Sequence, residues 1–148
     1  MPTIHFKLET TLAPAVVFAG ITDFGASRSA IWPNVDEEHF ELHGQGPGWA
    51  EVTEGSSVAG GIWERERYTW DAEYGTVAVE TIDSNTWGPG SRWDYLLVPA
   101  GGGTRVEVSV VRNPKSTKGR LIALGLTIAG STMLRTQMEQ VLGRLAAL

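Results

Sequence analysis

The C-terminal segment from Pro114 to Leu148 contains no helix-breaking proline after its first residue, and its apolar residues recur at helical spacing. Asn113 offers a helix N-cap with Pro114 at the first helical position, and Thr117 offers a competing cap one turn later. A helix of ~30 residues rises about 45 Å at 1.5 Å per residue. One helix of that length crosses an entire sheet, so the preceding chain is expected to supply a sheet that packs against it. The residues at 3–4 spacing are Leu124, Thr127, Ser131, Leu134, Met138, Val141, Leu145 and Leu148.

Short alternating runs separated by glycine and proline clusters precede this helix, a pattern typical of antiparallel strands joined by tight turns. The alternation predicts strands over 3–10, 38–44, 48–54, 61–72, 75–83, 91–99 and 103–112. Helical spacing predicts two short helices, over 14–24 and 26–31. The sequence therefore predicts an α+β fold in which a curved antiparallel sheet of about seven strands wraps around the long C-terminal helix.

Size and composition narrow the class of protein. The chain has 148 residues and no linker or internal repeat, so we expect a single domain over 1–148. It has no cysteine, which excludes disulfides and Cys-ligated zinc and fits the reducing cytoplasm. The net charge of -5 argues against a nucleic-acid partner. No signal-peptide pattern is visible at the start, and the longest apolar stretch, Leu121–Gly130, is about half of a membrane span, so we expect a cytoplasmic protein without a transmembrane segment.

Three short motifs carry a resemblance to a known family. Asp23 and Phe24 followed by Trp32-Pro33 resemble an aromatic-proline step that ends a helical pair. The Gly61–Arg65 segment resembles a glycine-led central strand, and Gly103–Val106 resembles a Gly-Thr-Arg entry into a last strand. With the order of elements, these motifs resemble the START-like helix-grip superfamily (SRPBCC), and within it the polyketide cyclase/dehydrase and lipid-transport group.

The resemblance implies a cavity between the concave face of the sheet and the terminal helix. Relatives use that cavity for lipids, hormones, polyketide chains or other hydrophobic molecules. The fold alone does not choose among these ligands. The sequence contains no signature motif that would carry a particular catalytic residue across from the family.

The phase of the strand over 61–72 decides which side chains face the predicted cavity, because successive side chains point to opposite faces. One face holds Ile62, Tyr68 and Trp70, whereas the other has one apolar residue. We therefore predict that the first face points inward, and Glu64 and Glu66 must point inward with it. Two carboxyl groups in an apolar cavity would have raised pKa values, which suits general acid or base chemistry.

Structural roles for these two carboxyl groups stay open. Glu64 and Glu66 would serve no chemistry if they lie at the cavity mouth, pair with an arginine of a neighbouring strand, or face solvent because a bulge shifts the phase.

The same alternation predicts inward side chains on the last two strands, among them Trp93, Tyr95 and Val108. Gly125 and Gly130 in the long helix either leave room for a ligand or allow a kink or close packing on the sheet. The outer face of the apolar run in this helix is expected either to be buried or to join a partner or membrane surface. The predicted ligand-contacting residues are Trp32, Glu64, Glu66, Tyr68, Trp70, Trp93, Tyr95, Val108, Leu124 and Ile128.

Two further clusters are interpreted as non-functional. His39, Glu41 and His43 would share one strand face, but the outer pair would be about 13 Å apart, too far to ligate one ion. Arg112 and the nearby basic residues up to Arg120 fit a solvated run of charge. We expect no metal and no cofactor.

Three functions follow as hypotheses. The first is binding of a small hydrophobic ligand, such as a lipid or polyketide, in the internal cavity. The second is a cyclase/dehydrase-type enzyme in which Glu64 or Glu66 acts as acid or base and Tyr68 or Tyr95 orients a carbonyl. The third is an interaction protein with a collapsed cavity that dimerises through the apolar helix segment, a hypothesis that gains if the cavity is smaller than roughly 300 Å³. Both a monomer and a homodimer fit the sequence.

Overall fold

A computed structural model describes residues 2–148 of the chain. Seven strands and three α-helices follow the predicted order, with short 3-10 helices at Glu37–His39 and Val58–Gly60. No helix within residues 2–148 is long and apolar enough to cross a membrane. The elements are β1 (Thr3–Thr10), α1 (Pro14–Ile21), α2 (Arg28–Ile31), β2 (Glu41–Gly46), β3 (Trp49–Ser56), β4 (Ile62–Asp71), β5 (Thr76–Ser84), β6 (Arg92–Ala100), β7 (Gly103–Val111) and α3 (Thr117–Ala146).

The strands form one curved sheet in the order β1-β7-β6-β5-β4-β3-β2, and every neighbouring pair is antiparallel. Hairpin connections join the strands from β2 onwards. The segment with the two short helices connects β1, at one edge of the sheet, to β2 at the opposite edge. The long helix α3 packs across the inner face of this sheet. This arrangement confirms the predicted α+β helix-grip fold.

Three predicted element boundaries are wrong by three residues, and the others agree to within two, such as the start of α2 at Arg28 rather than at residue 26. The predicted strand over 38–44 begins only at Glu41, because the residues before it close a 3-10 turn. The first helix ends at Ile21 rather than at residue 24. The terminal helix starts at Thr117, where Oγ of Ser116 accepts a hydrogen bond of 2.9 Å from the amide of Gly119. It starts no earlier because Pro114 bridges to Trp87 and holds the preceding segment extended.

The face of α3 that contacts the sheet differs from the predicted one in its first half. Leu124 and Ile128 are 60% and 79% exposed, whereas Leu126 is buried. Because this part of the helix is apolar on every side, the spacing of apolar residues could not show which face contacts the sheet. The contacting face is the one that can approach the sheet most closely. Gly130 makes that approach possible, since a Cβ there would lie 2.8 Å from Cδ1 of Ile4, while Gly125 faces open space. Neither glycine leaves room for a ligand.

Candidate ligand-binding site

A cavity of about 270 Å³ lies between the inner face of the sheet and α3. Strands β3, β4 and β6 supply most of its polar side chains, and α3 closes it with Leu126, Leu134, Gln137, Met138 and Val141. An engineered apolar cavity of roughly 150 Å³ accepts benzene, so this volume suits a molecule of about ten non-hydrogen atoms. The cavity lies just below the roughly 300–1,000 Å³ that is typical of pockets for drug-sized ligands, so by this criterion the interaction-protein hypothesis gains on the two ligand hypotheses.

The phase of β4 places Glu64, Glu66 and Tyr68 on the inner face together, where all three line the cavity. A bulge does occur here, between Arg65 and Glu66, but the extra residue is Ile82 in β5. The alternation along β4 is therefore unbroken, as the strand phase predicts.

Six of the ten predicted ligand-contacting residues line the cavity and four do not. Trp70 packs against Phe24 with ring centroids 6.1 Å apart, and Val108 is buried in the hydrophobic core. Leu124 and Ile128 face away from the sheet on the exposed side of α3. The six that line it are Trp32, Glu64, Glu66, Tyr68, Trp93 and Tyr95.

One wall of the cavity is fixed by a buried network around Arg28, which is 2% exposed. Its Nη2 donates to Oε1 of Glu54 at 2.8 Å and to the hydroxyl of Tyr68 at 2.8 Å, and its Nε donates to the same carboxylate at 3.1 Å. Its Nη1 donates to the carbonyl of Ile21 at 2.8 Å. Burial opposes the charge, but the neighbouring carboxylate of Glu54 holds the pKa of Arg28 above its ordinary value. This arginine ties α2 to β3 and β4.

A second ion pair joins buried Arg112, 4% exposed, to half-buried Glu64, with 2.6 Å between Nη1 and Oε1. The guanidinium carbon lies 5.2 Å and 5.3 Å from the ring centroids of Trp87 and Trp93. Cation–π contacts of this kind stabilise a desolvated cation. The arginine therefore satisfies the carboxylate of Glu64, which is the structural role that the sequence left open for this residue.

Glu66 lines the cavity wall and is 4% exposed. Its carboxyl group has no hydrogen-bond or ion-pair partner in residues 2–148, since the nearby Arg112 pairs with Glu64. Burial raises the pKa of its carboxyl group well above the ordinary value, and the charges of Glu64 and Glu54 raise it further, against the opposite influence of Arg112 and Arg28. The neutral acid is favoured. The carboxyl oxygens of Glu66 are not among the fully sealed polar atoms of residues 2–148, so they open on the cavity that Glu66 lines.

The two cavity tyrosines differ in how free their hydroxyl groups are. Tyr68 accepts from Arg28 and donates to Oε1 of Glu54 at 3.1 Å, so its hydroxyl is engaged. Tyr95 has no side-chain partner in residues 2–148 and stacks on Trp93, with ring centroids 6.3 Å apart. Burial raises the pKa of both phenols, which keeps them protonated as hydrogen-bond donors. Tyr95 is the hydroxyl available to a ligand.

Sequence reasoning missed Arg28 and Glu54 and misassigned Arg112. Arg112 continues the inward alternation of the last strand, two residues beyond Val110, so the solvated interpretation was wrong for this residue. Glu54 likewise continues the inward phase of Ala50 and Val52. Both signals were present in the period-2 pattern. No local pattern marks Arg28, because its partners come from residues 26 and 40 positions further along the chain.

Two further features lie outside this cavity. A more open groove of about 680 Å³ crosses the outer face of the sheet, and its lining includes the exposed side chains of Lys7 and Leu96. None of the buried carboxyl or guanidinium groups Glu54, Glu64, Glu66, Arg28 and Arg112 lines it. Asp36, Glu38 and His39 bring ligand atoms within 4.8 Å of one another, an arrangement that exposed acidic groups often adopt without an ion. His39 lies outside β2, so it shares no strand face with His43.

These features define a class of fold. A seven-stranded antiparallel sheet folded around one long terminal helix, with a cavity between them, is the START-like helix-grip fold, and this chain has that fold. No protein-family model matches the chain, and no curated protein matches it in sequence.

Solved structures match over nearly the whole chain. A protein from Thermus thermophilus superposes with a TM-score of 0.81 at 14% identity, covering 99% of this chain and 98% of the other. The Zhui aromatase/cyclase from a Streptomyces species gives 0.80 at 12% identity, covering 98% and 93%. A START superfamily protein from Mycobacterium smegmatis gives 0.77 at 12% identity, covering 98% and 97%. At these identities the likeness establishes the fold alone.

Proposed function

We propose that this protein binds a small, largely apolar molecule in the cavity between the sheet and α3, in the cytoplasm. The observation that carries the proposal is the cavity wall itself, where aromatic rings surround a few convergent polar groups. The volume of about 270 Å³ favours a compact molecule of one or two rings over a long lipid chain. The same fold occurs in an aromatase/cyclase, and a ring-containing ligand for this protein agrees with that similarity.

A binding measurement with 1-naphthol, which has about eleven non-hydrogen atoms and so fits the volume, tests this proposal. For a molecule of this size we expect a Kd on the order of 0.1–1 mM by isothermal titration calorimetry. Substituting Leu134→Trp fills the cavity from α3 and is expected to weaken binding at least about tenfold. Met133→Trp is the matched control, because the neighbouring side chain is exposed outside the cavity. Binding that is absent, or that Leu134→Trp leaves unchanged, would refute the proposal.

Native mass spectrometry of protein purified from its own cells complements this measurement. A retained apolar molecule would identify the chemical class of the ligand directly. Its mass should be compatible with one or two rings if the cavity volume governs selection.

The unpartnered Glu66 favours a second candidate function, an acid/base enzyme of the cyclase/dehydrase type. In this candidate Glu66 in its neutral form protonates a leaving hydroxyl group, and Tyr95 orients a carbonyl, because the hydroxyl of Tyr68 is already engaged by Arg28 and Glu54. Glu64, which Arg112 holds on the wall of the same cavity, is the carboxylate that takes a proton from the carbon beside that carbonyl in this candidate. Both carboxyl groups line the cavity, which is the arrangement that this candidate requires.

The enzyme candidate is tested with 4-hydroxy-4-phenylbutan-2-one, which loses water to give a conjugated enone that absorbs in the ultraviolet. The enzyme function predicts enone formation that is abolished in Glu66→Gln and retained in Glu80→Gln, since Glu80 is exposed on the outer face. Naphthol binding without enone formation would leave the protein as a binder.

A further inference from the structure

The carboxyl and guanidinium groups around the cavity are unequal in number. Glu54, Glu64 and Glu66 all line it. Arg28 pairs with Glu54 at 2.8 Å, and Arg112 pairs with Glu64 at 2.6 Å. The third carboxyl group, Glu66, has no guanidinium of its own.

The carboxyl group of Glu66 nevertheless faces the open space of the cavity and is not packed among other side chains. Only 4% of the residue is exposed, yet its oxygens are neither hydrogen-bonded nor sealed among the described residues. A buried carboxyl group without a partner normally costs free energy. A ligand that brings a positive charge next to this group would restore one cation for each carboxylate.

The aromatic wall is already suited to cations. Arg28 lies 4.7 Å from the ring centroid of Trp32, and Arg112 lies 5.3 Å from that of Trp93. Tyr95 stacks on Trp93, and neither arginine lies over its ring. Its free hydroxyl group is a second acceptor for a ligand ammonium, which has three N–H donors to place. Aromatic faces and a carboxylate together are the usual surroundings of a bound ammonium.

We propose that the cavity binds a small arylalkylamine in its protonated form, with the ammonium group paired to Glu66 and the ring among the tryptophan and tyrosine side chains. This inference rests on the proposed function and names its ligand class. The cavity volume of about 270 Å³ sets the size at about ten non-hydrogen atoms. 2-Phenylethylamine, with about nine, is a suitable probe.

Binding of an ammonium group has a consequence for protons. In the empty cavity burial favours the neutral acid at Glu66, as its raised pKa indicates. When the amine enters, the acid ionises, its proton leaves to solvent, and the carboxylate pairs with the ammonium, so charge and atoms balance. Amine affinity should therefore rise with pH until the amine itself loses its charge. The charged and titratable groups that face Glu66 are Arg28 from α2, Glu54 from β3, Glu64 and Tyr68 from β4, Tyr95 from β6 and Arg112 after β7.

Three probes of nearly equal shape separate charge from fit: 2-phenylethylamine, 2-phenylethanol and phenylacetate. Isothermal titration calorimetry at pH 7 should show the amine binding at least about tenfold more tightly than the alcohol, and phenylacetate binding most weakly, since it adds a like charge beside the cavity carboxyl groups. Repeating the titration in buffers of different ionisation enthalpy should show release of about one proton for each amine bound.

Glu66→Gln keeps the shape of the site and removes its charge. In this variant the ratio of amine affinity to alcohol affinity should fall from at least about ten to about one. Glu80→Gln, on the exposed outer face, is the matched control and should retain the preference.

Alcohol binding as tight as amine binding in the parent protein would overturn this inference while leaving the proposed function intact. Retention of the amine preference in Glu66→Gln would also overturn it. Failure of all three probes, together with failure of 1-naphthol, would refute the proposed function as well. The comparison of probes on the parent protein holds even if a variant does not fold.

Discussion

Replacing Glu66 by Gln is expected to stabilise the empty protein at neutral pH. The carboxyl group is 4% exposed, and no arginine pairs with it, so ionisation there puts an uncompensated charge in the cavity wall. Glutamine has nearly the same shape and cannot ionise. The variant isolates the free energy of that single ionisation from the packing of the site.

The sign of the effect follows from the direction of the pKa. Burial raises the folded-state pKa of Glu66 above the value of about 4.3 expected in the unfolded chain. Below that pH both states carry the proton, and parent and variant should be equally stable. As the pH rises, the unfolded chain ionises first and is favoured, so the parent loses stability until the folded-state pKa is passed. The variant loses none of this stability.

Each tenfold preference of the folded state for the neutral acid corresponds to about 1.4 kcal/mol. For a carboxyl group this buried we expect Glu66→Gln to gain about 1–3 kcal/mol at pH 7. In a chain of this length that gain raises Tm by roughly 3–9 °C. Urea denaturation at pH 4 and at pH 7 measures both the gain and its pH dependence.

Two matched variants place limits on the interpretation. Glu64→Gln should have the opposite sign at pH 7, because it leaves the buried guanidinium of Arg112 without its partner, at a cost of about 2–4 kcal/mol. Glu80→Gln should change stability by less than about 0.5 kcal/mol, as an exposed pair member does. A Glu66→Gln variant that is unchanged or less stable at pH 7 would refute the reasoning, and with it the acid/base role.

The remaining predictions concern packing and assembly. Tyr68→Phe should lose about 1–2 kcal/mol in urea denaturation, because a buried guanidinium N–H and a carboxylate oxygen each lose a partner. Gly125→Ala should raise the free energy of unfolding by up to about 1 kcal/mol, since its Cβ meets open space. Gly130→Ala should lower it by about 1–2 kcal/mol, because its Cβ would meet Ile4. Equal effects of the two variants would contradict this position of α3 on the sheet. The exposed face of α3 has basic but no acidic residues over 115–138, so we expect light scattering to give a monomer at about 100 µM. A dimer that Leu124→Gln dissociates would favour the interaction protein instead.

The elements of the fold were predictable because each left a local pattern. Alternation and glycine-rich turns predicted all seven strands, and an uninterrupted apolar periodicity predicted α3. The inward phase of β4 followed from counting apolar residues on its two faces, and it placed Glu64 and Glu66 on the cavity wall. Period-2 geometry ties a side chain to its neighbours on the same strand, so local information was sufficient there.

The site was decided by contacts between distant segments. The face of α3 that packs on the sheet was ambiguous in an all-apolar stretch, and the fit of Gly130 against Ile4 chose it, which turned Leu124 outward. Whether a buried carboxyl group is paired was equally undecidable from sequence. Arg112 reaches Glu64 across 48 positions of chain, and no cation within residues 2–148 reaches Glu66. Ionic pairing depends on distances of a few ångströms between side chains that only the tertiary structure brings together, because Coulomb interactions inside a protein fall with distance in space and not with separation in sequence.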